Sequence, residues 1–292
     1  MTGEGRMKTM GTGNRIFLVL LALTTLCVPS ASALTIITNF IGGAAPPNTA
    51  GGGNIADIVN AAARIWEAAY PGPETITINY GWAPVGDAAT HSLTAQGGTP
   101  DRETAGVILF DNSGAIKFFL DPTPLANEEF RRRTEEYQDL GGGFVNVARL
   151  YTSPLGDAAG HTDLLSVALH EMGHALGICA ANDAFRLEAV DGTITIAEDL
   201  PFAGTQIPLA TNKSGITSHF DAVQVTYGSV MAGISGDERR LPSALDVLVN
   251  AQISGYRILD LDPAQLSPSR VLTTRTPGRV ENGASAGRST VR

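Results

Sequence analysis

Cysteine is almost absent: the 292 residues contain two, Cys27 and Cys179. The first falls in an expected leader, which leaves one thiol and no internal disulfide. A small disulfide-built scaffold is therefore excluded, and stability has to come from packing and metal. Charge is also scarce, with Asp, Glu, Lys and Arg at 17%. No basic stripe runs through the body, and the net charge is −9, which argues against a nucleic-acid partner. Beyond the leader, no apolar window approaches the ~20 residues that a membrane helix needs. Histidine is limited to five positions.

The leader is legible. Arg6, Lys8 and Arg15 precede an apolar run over residues 16–28, and Ala31-Ser32-Ala33 supplies a small-residue cleavage site. This is the pattern of a secretory signal peptide over residues 1–33. It predicts a mature protein that starts near Leu34 and is secreted, or periplasmic or extracellular. Residues 268–292 hold Pro, Ser, Thr, Gly and Arg with almost no apolar content, and they read as a disordered tail. The remaining 34–267 are enough for one large domain or two modest ones with a substantial core.

Within that body, residues 34–40 and 75–82 read as strands from their β-branched content and alternation. Between them Asn54 caps an amphipathic helix that runs to about Tyr70 and stops at Pro71. A short strand is expected near 90–95. Two more, at 105–111 and 115–120, are expected to form a hairpin through Asn112-Ser113-Gly114. Residues 127–140 read as a charged helix, with Arg131, Arg132 and Arg133 on a solvated face beside Glu128, Glu129, Glu135 and Glu136. Residues 144–151 form another strand. Thr162 or Asp163 then caps a second helix, and loops dominate from 179 to 217 apart from a short alternating piece at 193–196. A last helix is expected at 241–253. The class is α+β: a twisted mixed sheet packed on two helices (34–177), then a loop-rich C-terminal subdomain (178–267).

The second helix carries His170-Glu171-Met172-Gly173-His174-Ala175-Leu176-Gly177, which reads H-E-x-x-H-x-x-G. Positions four apart share a helix face, so His170 and His174 can offer two nitrogens to one Zn²⁺. Glu171 projects beside them, placed to act on a water as general base without being a ligand. Leu165, Leu169, Met172 and Leu176 form a stripe on the opposite side. A catalytic zinc takes three protein ligands. In the compact motif H-E-x-x-H-x-x-G-x-x-H the third would fall at residue 180, which is alanine. His91, His161 and His219 remain. Of these, His91 and His161 read as surface residues, or at best as neighbours of the ligands, and Glu188 and Glu198 stand as fallbacks for a His-His-Glu set. Cys179 reads as a small buried core residue.

A resemblance follows from these motifs. The zinc helix, a long insertion, Ser218-His219-Phe220 and a Met turn at Ser229-Val230-Met231-Ala232-Gly233 are similar to the leishmanolysin-type branch of the metzincin metalloproteases. The resemblance implies His170, His174 and His219 as ligands of one catalytic zinc, Glu171 as general base and Met231 as the Met-turn residue. Its specific motifs are confined to 170–177 and 218–233. Leishmanolysins are rich in disulfides and carry a propeptide, so this chain resembles a short, cysteine-poor relative.

The expected function is a secreted zinc endopeptidase that acts on a protein or peptide substrate as a monomer. The zinc helix would floor a cleft, residues 231–236 would wall the pocket for the residue after the cut, and an edge strand within 105–120 would hold the substrate extended. Two other readings stay open on sequence: a zinc-binding or adhesive module without catalysis, and a zinc amidase acting on a non-peptide bond.

Overall fold

Asn54 begins the first helix as the spacing predicts. Its side chain accepts from the Asp57 amide at 2.9 Å, meeting one of the donors a helix N-terminus leaves free. The structure is a computed structural model that describes residues 33–264 except 235. But for Ala33, the expected leader lies outside the described residues, as does the 268–292 tail.

The element order is β1 (Thr35–Gly42), α1 (Ile55–Ala69), β2 (Thr75–Ala83), β3 (Ala89–Gly97), β4 (Arg102–Asp111), β5 (Phe118–Phe119), β6 (Phe130–Asp139), β7 (Phe144–Pro154) and β8 (Thr162–Asp163). These are followed by α2 (Leu164–Leu176), α3 (Asp183–Glu188), β9 (Thr193–Thr195), β10 (Gln206–Asn212), β11 (Gly215–Phe220), β12 (Arg239–Leu241) and α4 (Ala244–Ser254).

The protein is α+β with mixed pairing. The main sheet has the order β1-β2-β4-β3, with β1, β2 and β4 parallel and β3 antiparallel against β4. The parallel step from β1 to β2 is made by α1, since parallel neighbours need a crossover. Ile58, Val59, Ala62, Ile65 and Trp66 bury the inner face of α1 against the core. Trp66 donates its indole N–H to the Leu169 carbonyl at 3.1 Å, fixing α1 against α2. A second sheet, β12-β7-β6, draws one strand from beyond residue 178 and two from before it. Among the described residues, no helix is long and apolar enough to cross a membrane.

Four expectations fail. Residues 115–120 make no hairpin with β4, because β5 pairs in parallel with β8 and the antiparallel partner of β4 is β3. Consequently β4 is interior, and the edges of the main sheet are β1 and β3 rather than a strand within 105–120. The charged segment 127–140 is not a helix. It is the edge strand β6, paired with β7 over nearly its whole length, and its Arg131, Arg132 and Arg133 are all exposed, charge that discourages further pairing at an edge. Finally, the loop expected from 179 to 217 contains α3, β10 and β11 as well as the short β9, so His219 stands on a strand.

Candidate metal centre

Asp163 opens α2. Its carboxylate accepts from the Ser166 amide at 3.0 Å and from the Ser166 hydroxyl at 2.6 Å. All thirteen residues of α2 are buried, so the helix is covered on its histidine face as well as on its leucine face. At its end Gly177 lies against α4. A Cβ there would come within 3.0 Å of both Asn250 Oδ1 and Ser254 Oγ, and Ser254 donates to the Leu176 carbonyl at 2.6 Å. Close approach of two helices, rather than an unusual turn, explains this glycine.

Three imidazoles meet above the helix. His170 Nε2 lies 3.0 Å from His174 Nε2 and 3.2 Å from His219 Nε2. His219 comes in on β11, forty-five residues beyond His174 in sequence. The other nitrogens of the helical pair are committed: His170 donates Nδ1–H to the Val230 carbonyl at 2.6 Å, and His174 donates Nδ1–H to the Ile178 carbonyl at 2.7 Å. A carbonyl only accepts, so both protons sit on Nδ1 and both Nε2 atoms face each other as lone pairs.

Burial and the neighbouring His219 press His170 down to about 3, and burial and the neighbouring histidines hold His174 well below its usual value. Burial lowers His219 too. Neutral lone pairs 3.0 Å apart repel unless a cation lies between them. A tetrahedral zinc with Zn–N of ~2.0–2.1 Å separates its nitrogen ligands by about 3.3 Å, close to what these residues present. The donor set fits the ion.

The turn that carries Met231 packs against α2. Residues Val230–Ala232 make a single 3₁₀ turn, so the carbonyl that orients His170 and the side chain of Met231 belong to the same turn. Ser229 Oγ accepts from the Met231 amide at 2.9 Å and donates to Asp246 at 2.7 Å. Asp246 also closes a capping box with Ser243 at the start of α4. Asp246, Asn250 and Ser254 are thus three buried polar residues at i, i+4, i+8 on one helix. Asp246 holds the turn around Met231, Ser254 holds the end of α2, and Asn250 packs against Gly177. Sequence reasoning passed over this stripe, although polar residues recurring every four positions in an otherwise apolar helix were a readable signal.

Gly173 is where the Met231 side chain meets the helix. A Cβ added there would lie 2.3 Å from Met231 Sδ and 3.5 Å from Trp66 Cζ2. Helix propensity alone makes Gly→Ala stabilising by about 1 kcal/mol. Met231 is fully buried, so displacing its side chain disturbs the core, and overpacking should outweigh propensity. We expect Gly173→Ala to destabilise by about 1–3 kcal/mol, read from the urea midpoint; a stabilised variant would show that Met231 does not press on the helix.

Glu171 is 5% exposed and lines the same cavity as the three histidines, a cleft of about 1000 Å³. Burial raises its carboxyl to about 7, Asp87 adds to the rise, and His91 opposes it. The cleft is bounded by residues 87–91 at the start of β3 on one side, β11 on another, and Ala232, Gly233 and Ile234 beside the Met turn. Those last three lie where a pocket wall at 231–236 was expected.

The remaining sequence candidates separate. His161 is half-exposed, with its ring against the Ala159 carbonyl. Glu198 is exposed, and Glu188 accepts from Gln252 at 3.0 Å; neither joins the histidines. His91 is not a surface residue: its side chain is 2% exposed and pairs with Glu103 at 2.8 Å. Its ring is tilted by 27° from that of His174, with centroids 6.2 Å apart. Burial alone would depress His91, but hydrogen bonds to Cys179 and Glu103 outweigh it and push it up to about 9. Cys179 is buried as expected, yet it borders the cleft. No protein-family model matches the chain, and no curated protein matches it.

Proposed function

We propose that the protein is a zinc-dependent endopeptidase of the metzincin type, similar to the leishmanolysins. The observation that carries the reading is the convergence of three neutral imidazoles, two with their tautomers fixed by backbone carbonyls, beside a buried glutamate in an open cleft. When bound by His170, His174 and His219, zinc supplies Lewis-acid polarisation of a carbonyl and lowers the pKa of water.

The chain's own residues do the rest. Glu171 takes a proton from the attacking water and returns it to the leaving amine, a shuttle favoured by a pKa near the working pH. The free edge of β3 borders the cleft, and among the described residues it pairs only with β4. It can hold a substrate extended by backbone hydrogen bonds. Ile234 beside the Met turn and the largely exposed Tyr227 give the cleft apolar contacts. These features favour a peptide over a small amide.

The test is cleavage of an unstructured protein such as casein by the purified protein. Activity should disappear with a chelator and return on adding zinc. His219→Ala should lower zinc affinity by at least about tenfold and abolish cleavage at limiting zinc. Chelator-resistant cleavage, or unaltered zinc binding in His219→Ala, would end this reading.

A further inference from the structure

Beside the three histidines lies a second set of ligand types. His91 on β3, Glu103 on β4 and Cys179 just past α2 bring one ligand atom each to within 4.8 Å of one another. Glu103 is held toward His91 where the register between β3 and β4 slips twice, between Leu93 and Gln96, as bulges re-aim side chains. Gly106 leaves space for the pair: a Cβ there would lie 2.1 Å from Glu103 Oε1 and 2.9 Å from His91 Nε2.

The Glu103 side chain is fully buried. One of its oxygens is satisfied by His91, while Oε2 is enclosed without a hydrogen-bond partner. A buried carboxylate oxygen left unmatched is costly and calls for an explanation. His91 and Cys179 both border the cleft, which gives an ion a way in and leaves a coordination position for water.

We propose that His91, Glu103 and Cys179 form a second divalent-cation site, selective for zinc. Nitrogen, carboxylate and sulfur together suit a borderline-soft ion, whereas magnesium and calcium prefer oxygen alone. Binding sends the thiol proton of Cys179, and any proton on His91, to solvent. Such an ion ties β3, β4 and the exit of α2 together, bracing the cleft wall along which β3 runs. The proposal uses none of the residues of the three-histidine site and stands whether or not the protein is a peptidase.

Cobalt titration of the metal-free purified protein tests it. Cobalt bound through a thiolate shows a sulfur-to-metal charge-transfer band in the near ultraviolet, which three imidazoles cannot give. The band should saturate and be lost in Cys179→Ser while the visible d–d absorption of the histidine site remains. Glu103→Gln should weaken the titration of the band by at least about tenfold. In the wild type, where no folding defect can interfere, zinc should slow Cys179 modification by a thiol reagent by about tenfold or more. A saturated wild type with no such band, the same band in Cys179→Ser, or a thiol that zinc leaves unprotected would each overturn the assignment. A single equivalent of cobalt that shows the band would keep this site and remove the three-histidine one.

Discussion

Glu171→Gln should keep the fold and zinc content and lose about 10²–10⁴-fold in kcat, the usual contribution of a general base. The amide matches the carboxylate in shape, so packing around α2 does not change. The stability effect has a definite sign. In the metal-free protein burial raises Glu171 from 4.5 to about 7, so the folded state favours the protonated acid. Ionisation therefore costs stability progressively as pH rises from about 4.5 to about 7. Glutamine carries no such cost. The metal-free variant should gain on wild type between pH 4 and pH 8, measured by urea denaturation at both. A cation held by the three histidines would add to the pull of His91 on the carboxyl. The acid limb of kcat/KM should then fall below 7, with activity lost as pH drops through it. A variant that cleaves casein within a few-fold of wild type would remove Glu171 from the chemistry.

What the sequence showed of this site was local, and what it hid was long-range. Asn54, Asp163 and the H-E-x-x-H spacing act within one or two helical turns, so the two helices and the facing of His170 and His174 were readable from neighbours in the chain. His219 was reached only through a family resemblance, and the strand that carries it was missed. Its strand character depends on β10, which contains Pro208 and has little periodicity of its own. Segment 127–140 misled for a related reason. Its Glu and Arg residues favour a helix by propensity, yet pairing with the apolar β7 overrides that preference. The identity of the edge strand failed likewise, because the order β1-β2-β4-β3 is set by contacts across the sheet that leave no local trace. His91 illustrates the limit most clearly. Alone in a strand it resembles a surface histidine, and only the structure shows it buried, with Glu103 and Cys179 brought from two other elements to raise its pKa.

Arg239→Met should cost about 3–5 kcal/mol, as expected for breaking a buried ion pair from one side. Arg239 is completely buried and bonds to two acidic residues. Its Nε and Nη2 reach Asp163 at 3.1 and 2.9 Å, and Nη2 also reaches Asp121. Nη1 donates to the Ala126 carbonyl at 2.6 Å and to Asn127 at 3.2 Å, and the guanidinium lies 4.8 Å from the Phe130 ring centroid. Methionine can fill much of the volume, but it leaves two buried carboxylates facing each other without a cation. Adding Asp121→Asn should return part of the stability by removing one of the two facing charges. Asp163 keeps its bonds to Ser166 in all these variants, so α2 should still begin at Leu164 and zinc binding should persist wherever the protein is folded. The urea midpoint should fall while the slope of the transition stays unchanged. A loss under about 1 kcal/mol would show that Arg239 does not hold the start of α2, through Asp163, to the segment after β5 that carries Asp121.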